Sequence, residues 1–296
     1  MKIGFWTTGM PDWSNAEFAK SARELGYDGL VLRRGNLGEH GVNATGDELD
    51  EMKRTYESAG IEIESLIASN SRGTYPGCGS DEIEWDQVEA ELAHDVRVAG
   101  KLGSPTVMVP VQRPIKGVKW DWDAYLDNLA RASLAALKEA SGVCAIFENH
   151  VDSASARQLL EMVERTGDDR LGVMFSPDHC VVMQENPVEL ADRYAPEIRQ
   201  VCLADRRVVE EDLGRFDGRY YYVRYECCVV GEGIVPAADI LSTLKRHGYN
   251  HYVTLKWEKH IGWAGAHLPE GFGHHLPDGE VVLPSFIEYV KSLGVS

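Results

Sequence analysis

Residues 144–176 read CAIFENHVDSASARQLLEMVERTGDDRLGVMFS, and this stretch decides the fold. An apolar run over Cys144–Asn149 reads as a buried strand, Ser155–Thr166 carries a helical pattern, and Gly167 stops it. A second apolar run follows over Leu171–Ser176. Strand, helix, strand in that order is the unit of a parallel sheet, because the helix carries the chain back to its starting end.

The same unit recurs along the chain. Strands are expected at Lys2–Thr7, Gly29–Arg33, Glu62–Ala68, Thr106–Val111, Cys144–Asn149, Leu171–Ser176, Ile198–Asp205 and Tyr252–Trp257. Between them lie helical patterns over Ala16–Leu25, Glu48–Ala59, Ile83–Leu102, Trp122–Ala140, Ser155–Thr166, Pro187–Tyr194, Val235–His247 and Pro284–Leu293. Ser14 with Glu17, and Thr45 with Glu48, have the spacing of capping boxes. Eight alternating units are the number that closes an α/β (β/α)8 TIM barrel, here expected as a single domain over residues 1–296. A doubly wound open sheet is the alternative, but no GxGxxG follows the first strand.

Two connections are long, 206–231 after the seventh strand and 258–283 after the eighth. Both leave from the carboxyl ends of strands, where barrel active sites form. The first contains Tyr220, Tyr221, Tyr222 and Tyr225 in a strand-like alternation, and the second contains four histidines.

With 30 basic and 47 acidic residues the 296-residue chain carries a formal charge of −17. That field repels phosphate backbones, so a small-molecule substrate is expected rather than nucleic acid. The opening MKIGFWTTGM has no apolar signal core, and no apolar run approaches the roughly 20 residues of a membrane span. None of the six cysteines forms a CxxC pair, which predicts reduced thiols and a cytoplasmic location. A homo-oligomer is compatible with the 206–231 insertion.

Strand ends supply the candidate chemistry. The fifth ends Phe147-Glu148-Asn149-His150, and the sixth ends Phe175-Ser176-Pro177-Asp178-His179. The seventh carries Cys202-Leu203-Ala204-Asp205-Arg206-Arg207, and the eighth carries Lys256-Trp257-Glu258. A glutamate ending an apolar strand needs a cation, a proton or solvent. His150 and His179 serve equally as satisfied polar residues of a barrel mouth, and Asp178 as a helix cap. Trp6, Trp257 and Trp263 offer rings for stacking but also suit barrel packing. Asp205 and Arg207 could bind polar groups at the rim or pair with each other.

The whole chain resembles the sugar phosphate isomerase/epimerase family, the xylose isomerase-like TIM barrels related to AP endonucleases. The resemblance rests on GFWTTGMPDWSNAEFAKSARELGYDGL, AIFENH, GVMFSPDHCVVMQENPVEL, IRQVCLADRR and GEGIVPAADILSTLKRHGYNHYVTLKWEK, taken in order. It implies a barrel whose mouth holds one divalent cation on Glu, Asp, His and Glu ligands. The first ligand matches Glu148, and the family's Asp-x-x-His motif puts Ser176 at the Asp and His179 at the His. Cys202 then stands at the histidine ligand, with Asp205 matching the Asp of His-x-Lys-Asp, and Lys256 stands at the last glutamate.

Three of four implied ligands are therefore replaced. The family's three carboxylates and a divalent ion leave one negative charge, whereas Glu148 and Lys256 leave none. A divalent ion roughly 4 Å from an ammonium meets several kcal/mol of repulsion at moderate dielectric. The expected site thus has no cofactor: Glu148 as base, Lys256 as electrophile in the space of the ion, and His179 as acid or hydroxyl partner. Trp6, His150, Ser176, Cys202, Asp205, Arg207 and Trp257 are the expected substrate contacts. A two-residue shift of register would instead set Glu148, Asp178, His179 and Glu258 around manganese, magnesium or zinc.

The family's chemistry is proton transfer beside a carbonyl. A metal-independent isomerase, epimerase or lyase for a carbohydrate-like or polyhydroxylated molecule is the resulting expectation. A metal-dependent sugar isomerase or epimerase with the shifted ligand set, or a non-catalytic binding barrel, are the alternatives.

Overall fold

The computed structural model describes residues 1–10, 12–33, 44–68, 83–111, 121–210, 223–257 and 277–295. In chain order the elements are β1 (Lys2–Trp6), α1 (Asn15–Leu25), β2 (Gly29–Arg33), α2 (Gly46–Ala59), β3 (Glu62–Ile67), α3 (Trp85–Leu102) and β4 (Thr106–Val109). There follow α4 (Trp122–Ala136), β5 (Cys144–Glu148), α5 (Ala156–Thr166), β6 (Leu171–Phe175), α6 (Pro177–Val182), α7 (Pro187–Arg193) and β7 (Ile198–Leu203). The chain continues through β8 (Asp205–Glu210), β9 (Val223–Cys228), α8 (Ala237–Arg246), β10 (Tyr252–Leu255) and α9 (Gly279–Ser292).

Eight parallel strands close a barrel in the order β1-β10-β7-β6-β5-β4-β3-β2, and β1 pairs with both β10 and β2 to seal it. Both expected capping boxes are formed: Ser14 and Thr45 each accept from the backbone three residues on, while Glu17 and Glu48 reach back. Gly26 ends α1 at φ 82°, a left-handed value that favours glycine. Between strands and helices, Phe18, Phe147, Phe175 and Phe286 are buried to about 1% exposure or less. Each such ring contributes roughly 2–3 kcal/mol of hydrophobic stabilisation.

The barrel interior is layered. Trp6, Val31, Ile67, Met108, Ile146, Met174 and Cys202 form one apolar cluster. Toward the amino ends of the strands lies a polar layer around Glu64 of β3. Gln200 Nε2 and Thr254 Oγ1 each donate to Glu64 Oε1 at 2.5 Å. A Cβ at Gly4 would stand 1.8 Å from Glu64 Oε2, so this position in β1 has no room for a side chain. Burial pushes the Glu64 carboxyl up to about 8, against the hydrogen bond from Thr254.

The seventh strand departs from expectation. Ile198–Asp205 is not one strand: β7 ends at Leu203, and Asp205 begins β8, which pairs antiparallel with β9. The cause is the Asp205 carboxylate, which accepts from the backbone N–H groups of Gly231, Gly233 and Val235 and fixes the chain in a new direction. The strand-like alternation around Tyr225 is realised as β9, whereas Tyr220, Tyr221 and Tyr222 lie outside the described residues. The last helix begins at Gly279 and holds Pro284 inside it, not at its start. Most of the 258–283 connection, with Glu258, Trp263 and its histidines, also lies outside the described residues, as does Cys78.

Candidate active site

Strand parity brings the central residues together. Ile146 and Met174 belong to the interior layer, so Glu148 and Ser176, two residues further on β5 and just past β6, share their direction. Lys256 follows β10 in the same relation to the interior Thr254. Lys256 Nζ donates to Glu148 Oε1 at 2.7 Å, and Ser176 Oγ donates to the same oxygen at 2.9 Å. Lys256 is 3% exposed and Glu148 is 9% exposed. Nζ also lies 5.0 Å from the Trp6 ring centre, where the π face favours a cation.

The pair sets the charge state of the glutamate. Burial alone would raise the Glu148 carboxyl, but the Lys256 ammonium, with His179 and His150, holds it below its ordinary value. Glu148 is therefore ionised at neutral pH. Its Oε1 carries both hydrogen bonds, which leaves the lone pairs of Oε2 for another proton.

Asn149 ties the ends of β5 and β6 together. Its Oδ1 accepts from the Ser176 N–H at 2.8 Å, and its Nδ2 donates to the Ser176 carbonyl at 2.9 Å. The Asn149 carbonyl meets His179 Nδ1 at 2.7 Å. A carbonyl only accepts, so Nδ1 carries the proton and Nε2 presents a lone pair. Burial drives His179 down to about 4, so the ring is neutral at pH 7. The His150 ring meets His179 edge-on at 4.3 Å between centres, and His150 Nδ1 is in close contact with the Asp152 carboxylate.

Asp178 is fully buried at the start of α6. Its Oδ2 accepts from Arg206 Nε at 2.9 Å and Nη2 at 2.8 Å, and lies 3.5 Å from His179 Nε2. Burial opposes its ionisation, yet His179, Arg206 and Lys256 hold it down to about 2. Arg206 also donates from Nη1 to Cys227 Sγ, so the guanidinium links α6 to both strands of the β8–β9 hairpin.

The structure thus gathers Glu148, Lys256, Ser176, His179, His150 and Trp6. Cys202 sits in the apolar layer of the barrel interior. Three expected contacts are elsewhere. Trp257 packs in the outer core, its carbonyl and ring against Gly9. Asp205 is spent on backbone amides, and Arg207 pairs with Glu226 along the hairpin at 3.2 Å. The amides of Gly231, Gly233 and Val235 are already filled by Asp205. Asn149, Asp152 and Arg206 were missed. Strand parity could have separated Arg206 from Arg207, because the two adjacent side chains of β8 face opposite ways.

The fold family implies a divalent cation, and the described residues of this mouth do not form a set that fits one. Glu148 Oε1 is held by an ammonium and a hydroxyl, and Asp178 Oδ2 is held by a guanidinium. A doubly charged ion about 4 Å from Lys256 Nζ would meet roughly 8 kcal/mol of repulsion at an effective dielectric of 20. In the shifted set Asp178 has only Oδ1 to offer while Arg206 holds Oδ2, and the fourth member, Glu258, lies outside the described residues.

Comparison with known proteins agrees with the architecture. The family described as xylose isomerase-like TIM barrel matches residues 19–277. An inosose dehydratase of Geobacillus kaustophilus is 26% identical over 144 residues, which span 47% of this chain and 46% of that protein. An inosose dehydratase of Clostridium beijerinckii is 20% identical over 285 residues, covering 88% of this chain and 90% of the relative. Among solved structures, D-psicose 3-epimerase with D-tagatose from Clostridium cellulolyticum H10 superposes with a TM-score of 0.73, at 14% identity and 99% coverage of both chains. The IOLI protein, solved with a zinc atom, gives a TM-score of 0.68 at 18% identity, covering 100% of this chain and 97% of its own.

Proposed function

Since the chain belongs to the xylose isomerase-like TIM-barrel family, we propose that it is an enzyme that moves a proton beside a carbonyl of a carbohydrate-like, polyhydroxylated molecule without a divalent cation. The outcome is isomerisation, epimerisation or elimination, which share the same first step. The relatives named as inosose dehydratase and D-psicose 3-epimerase support this chemistry. The observation that carries the metal-independent reading is the 2.7 Å contact between Lys256 Nζ and Glu148 Oε1 in a buried mouth.

In this reading Glu148 Oε2 takes the proton from the carbon next to the carbonyl. Its basicity is modest because Lys256 stabilises the anion, but the base is fixed in place and already ionised. Negative charge then develops on the carbonyl oxygen. The Lys256 ammonium, which donates to Glu148, stabilises that charge from a low-dielectric site. Ser176 keeps Glu148 in register. His179, neutral and with Nε2 as acceptor, takes a substrate hydroxyl and does not act as the acid, because an acid must carry its proton at working pH. His150, backed by Asp152, stands next to His179 as the group that returns a proton.

The test is hydrogen exchange. Chelator-treated protein is incubated with inosose or D-tagatose in deuterium oxide, and proton NMR follows the signal beside the carbonyl. Wild type is expected to exchange it, with Glu148→Gln about 10²–10⁴-fold slower. Lys256→Met is expected to be about 10²–10³-fold slower. Exchange that appears only after manganese or zinc is added would refute the metal-independent reading.

A further inference from the structure

The buried polar atoms with no hydrogen-bond partner among the described residues include Trp6 Nε1, Thr8 Oγ1 and Asp178 Oδ1. Burying a polar group unpaired is costly, and such groups in native proteins usually await a ligand or solvent. Two of these three are linked to Lys256, and the third lies two residues from Trp6 in the chain. Trp6 lies under the Lys256 ammonium, Thr8 follows on the turn that ends β1, and Asp178 feels the Lys256 charge. They differ in what they can accept: the indole N–H only donates, the Thr8 hydroxyl does either, and the ionised Asp178 oxygen only accepts.

Resting on the function proposed above, we infer that Asp178, held by Arg206, reads hydroxyl groups of a neutral substrate together with Trp6 and Thr8, and rejects a phosphate ester. A hydroxyl can donate to Asp178 Oδ1 while its oxygen accepts from Trp6 Nε1 or Thr8 Oγ1, so a carbon chain bearing adjacent hydroxyls satisfies all three. A phosphate group at neutral pH has acceptors but little proton to give, and it meets the Asp178 carboxylate as like charge. The Arg206 charge is already balanced by Asp178, to which Nε and Nη2 donate, while Nη1 donates to Cys227. The amide cradle at 231–235 is closed to phosphate by Asp205. Arg206 is here a positioning residue: it fixes Oδ2 and so aims Oδ1.

Calorimetric titration of chelator-treated full-length protein with D-fructose, D-tagatose, inosose and fructose 6-phosphate tests this. At least one neutral compound is expected to bind at least tenfold more tightly than the phosphate ester. Asp178→Asn is expected to weaken that binding at least tenfold and to narrow the preference over the phosphate ester. Thr8→Val removes an unpaired hydroxyl at nearly constant shape, so it is expected to weaken binding about threefold or more while the melting temperature stays level or rises. Thr8→Val thus decides the matter even if Asp178→Asn fails to fold. Equal binding by wild type, Asp178→Asn and Thr8→Val would overturn the inference and leave the Glu148–Lys256 chemistry standing. Tighter binding of fructose 6-phosphate would also overturn the inference alone. No binding of any of the four compounds would count against both.

Discussion

Replacing Lys256 by Met removes the ammonium and keeps most of the side-chain volume, so it isolates the charge. At 2.7 Å the pair has a Coulomb attraction of about 6 kcal/mol at an effective dielectric of 20. Desolvation of both groups offsets part of it, and loss of one partner from a buried pair typically costs about 3–5 kcal/mol. The sign with pH is the sharper signature. In wild type the Glu148 carboxyl is held below its unfolded value, so its contribution is present above the unfolded pKa and lost as pH falls through the folded one. Without Lys256, burial dominates and the carboxyl rises above its unfolded value. Stability is then greatest in acid and is lost as pH rises. Urea denaturation of wild type and Lys256→Met from pH 4 to pH 9 should give a difference that is small at pH 4 and reaches about 3–5 kcal/mol near pH 8. The double variant Glu148→Gln with Lys256→Met should recover all but about 1–2 kcal/mol at pH 8. A Lys256→Met variant within about 0.5 kcal/mol of wild type at every pH would refute the buried pair, since surface substitutions behave that way.

Other consequences follow from the polar interior and the hairpin. Glu64 is raised to about 8, so its contribution is fully present below the unfolded pKa near 4.5 and is lost as pH climbs through 8. Glu64→Gln should match wild type within about 1 kcal/mol at pH 5 and exceed it by on the order of 3–4 kcal/mol at pH 9, read by chemical denaturation. Asp205→Ala strands the amides of Gly231, Gly233 and Val235 and should destabilise by about 3–5 kcal/mol, whereas Asp205→Asn should cost less. Gly233→Ala places a Cβ 2.2 Å from Asp205 Oδ1 and should destabilise by about 1–3 kcal/mol, checked by thermal melting.

The barrel was legible because its signals are local and repeated: short apolar runs, capping boxes at Ser14 and Thr45, and glycine stops. Glu148, Ser176 and Lys256 were legible because period-two parity carries interior positions to the strand ends. Asp205 was misplaced because spacing alone cannot show that a carboxylate is consumed by amides some 26 to 30 residues away. Arg206 and Asn149 were missed for a related reason. Their roles lie in contacts between elements, and a polar residue beside a strand end looks the same whether it meets substrate or ties two loops together. Glu64 had no signal at all: one glutamate within EIESLIA reads as surface alternation until the barrel closes around it.

In the proposed mechanism a side-chain ammonium supplies the positive charge at this barrel mouth. Elemental analysis of protein purified without chelator measures that most directly. Less than about 0.1 equivalent of manganese, zinc, magnesium, cobalt or iron per chain is expected, because Lys256 repels a cation and the buried carboxylates Glu148 and Asp178 are already paired with Lys256 and Arg206. Close to one equivalent, lost together with proton exchange on chelation, would contradict it.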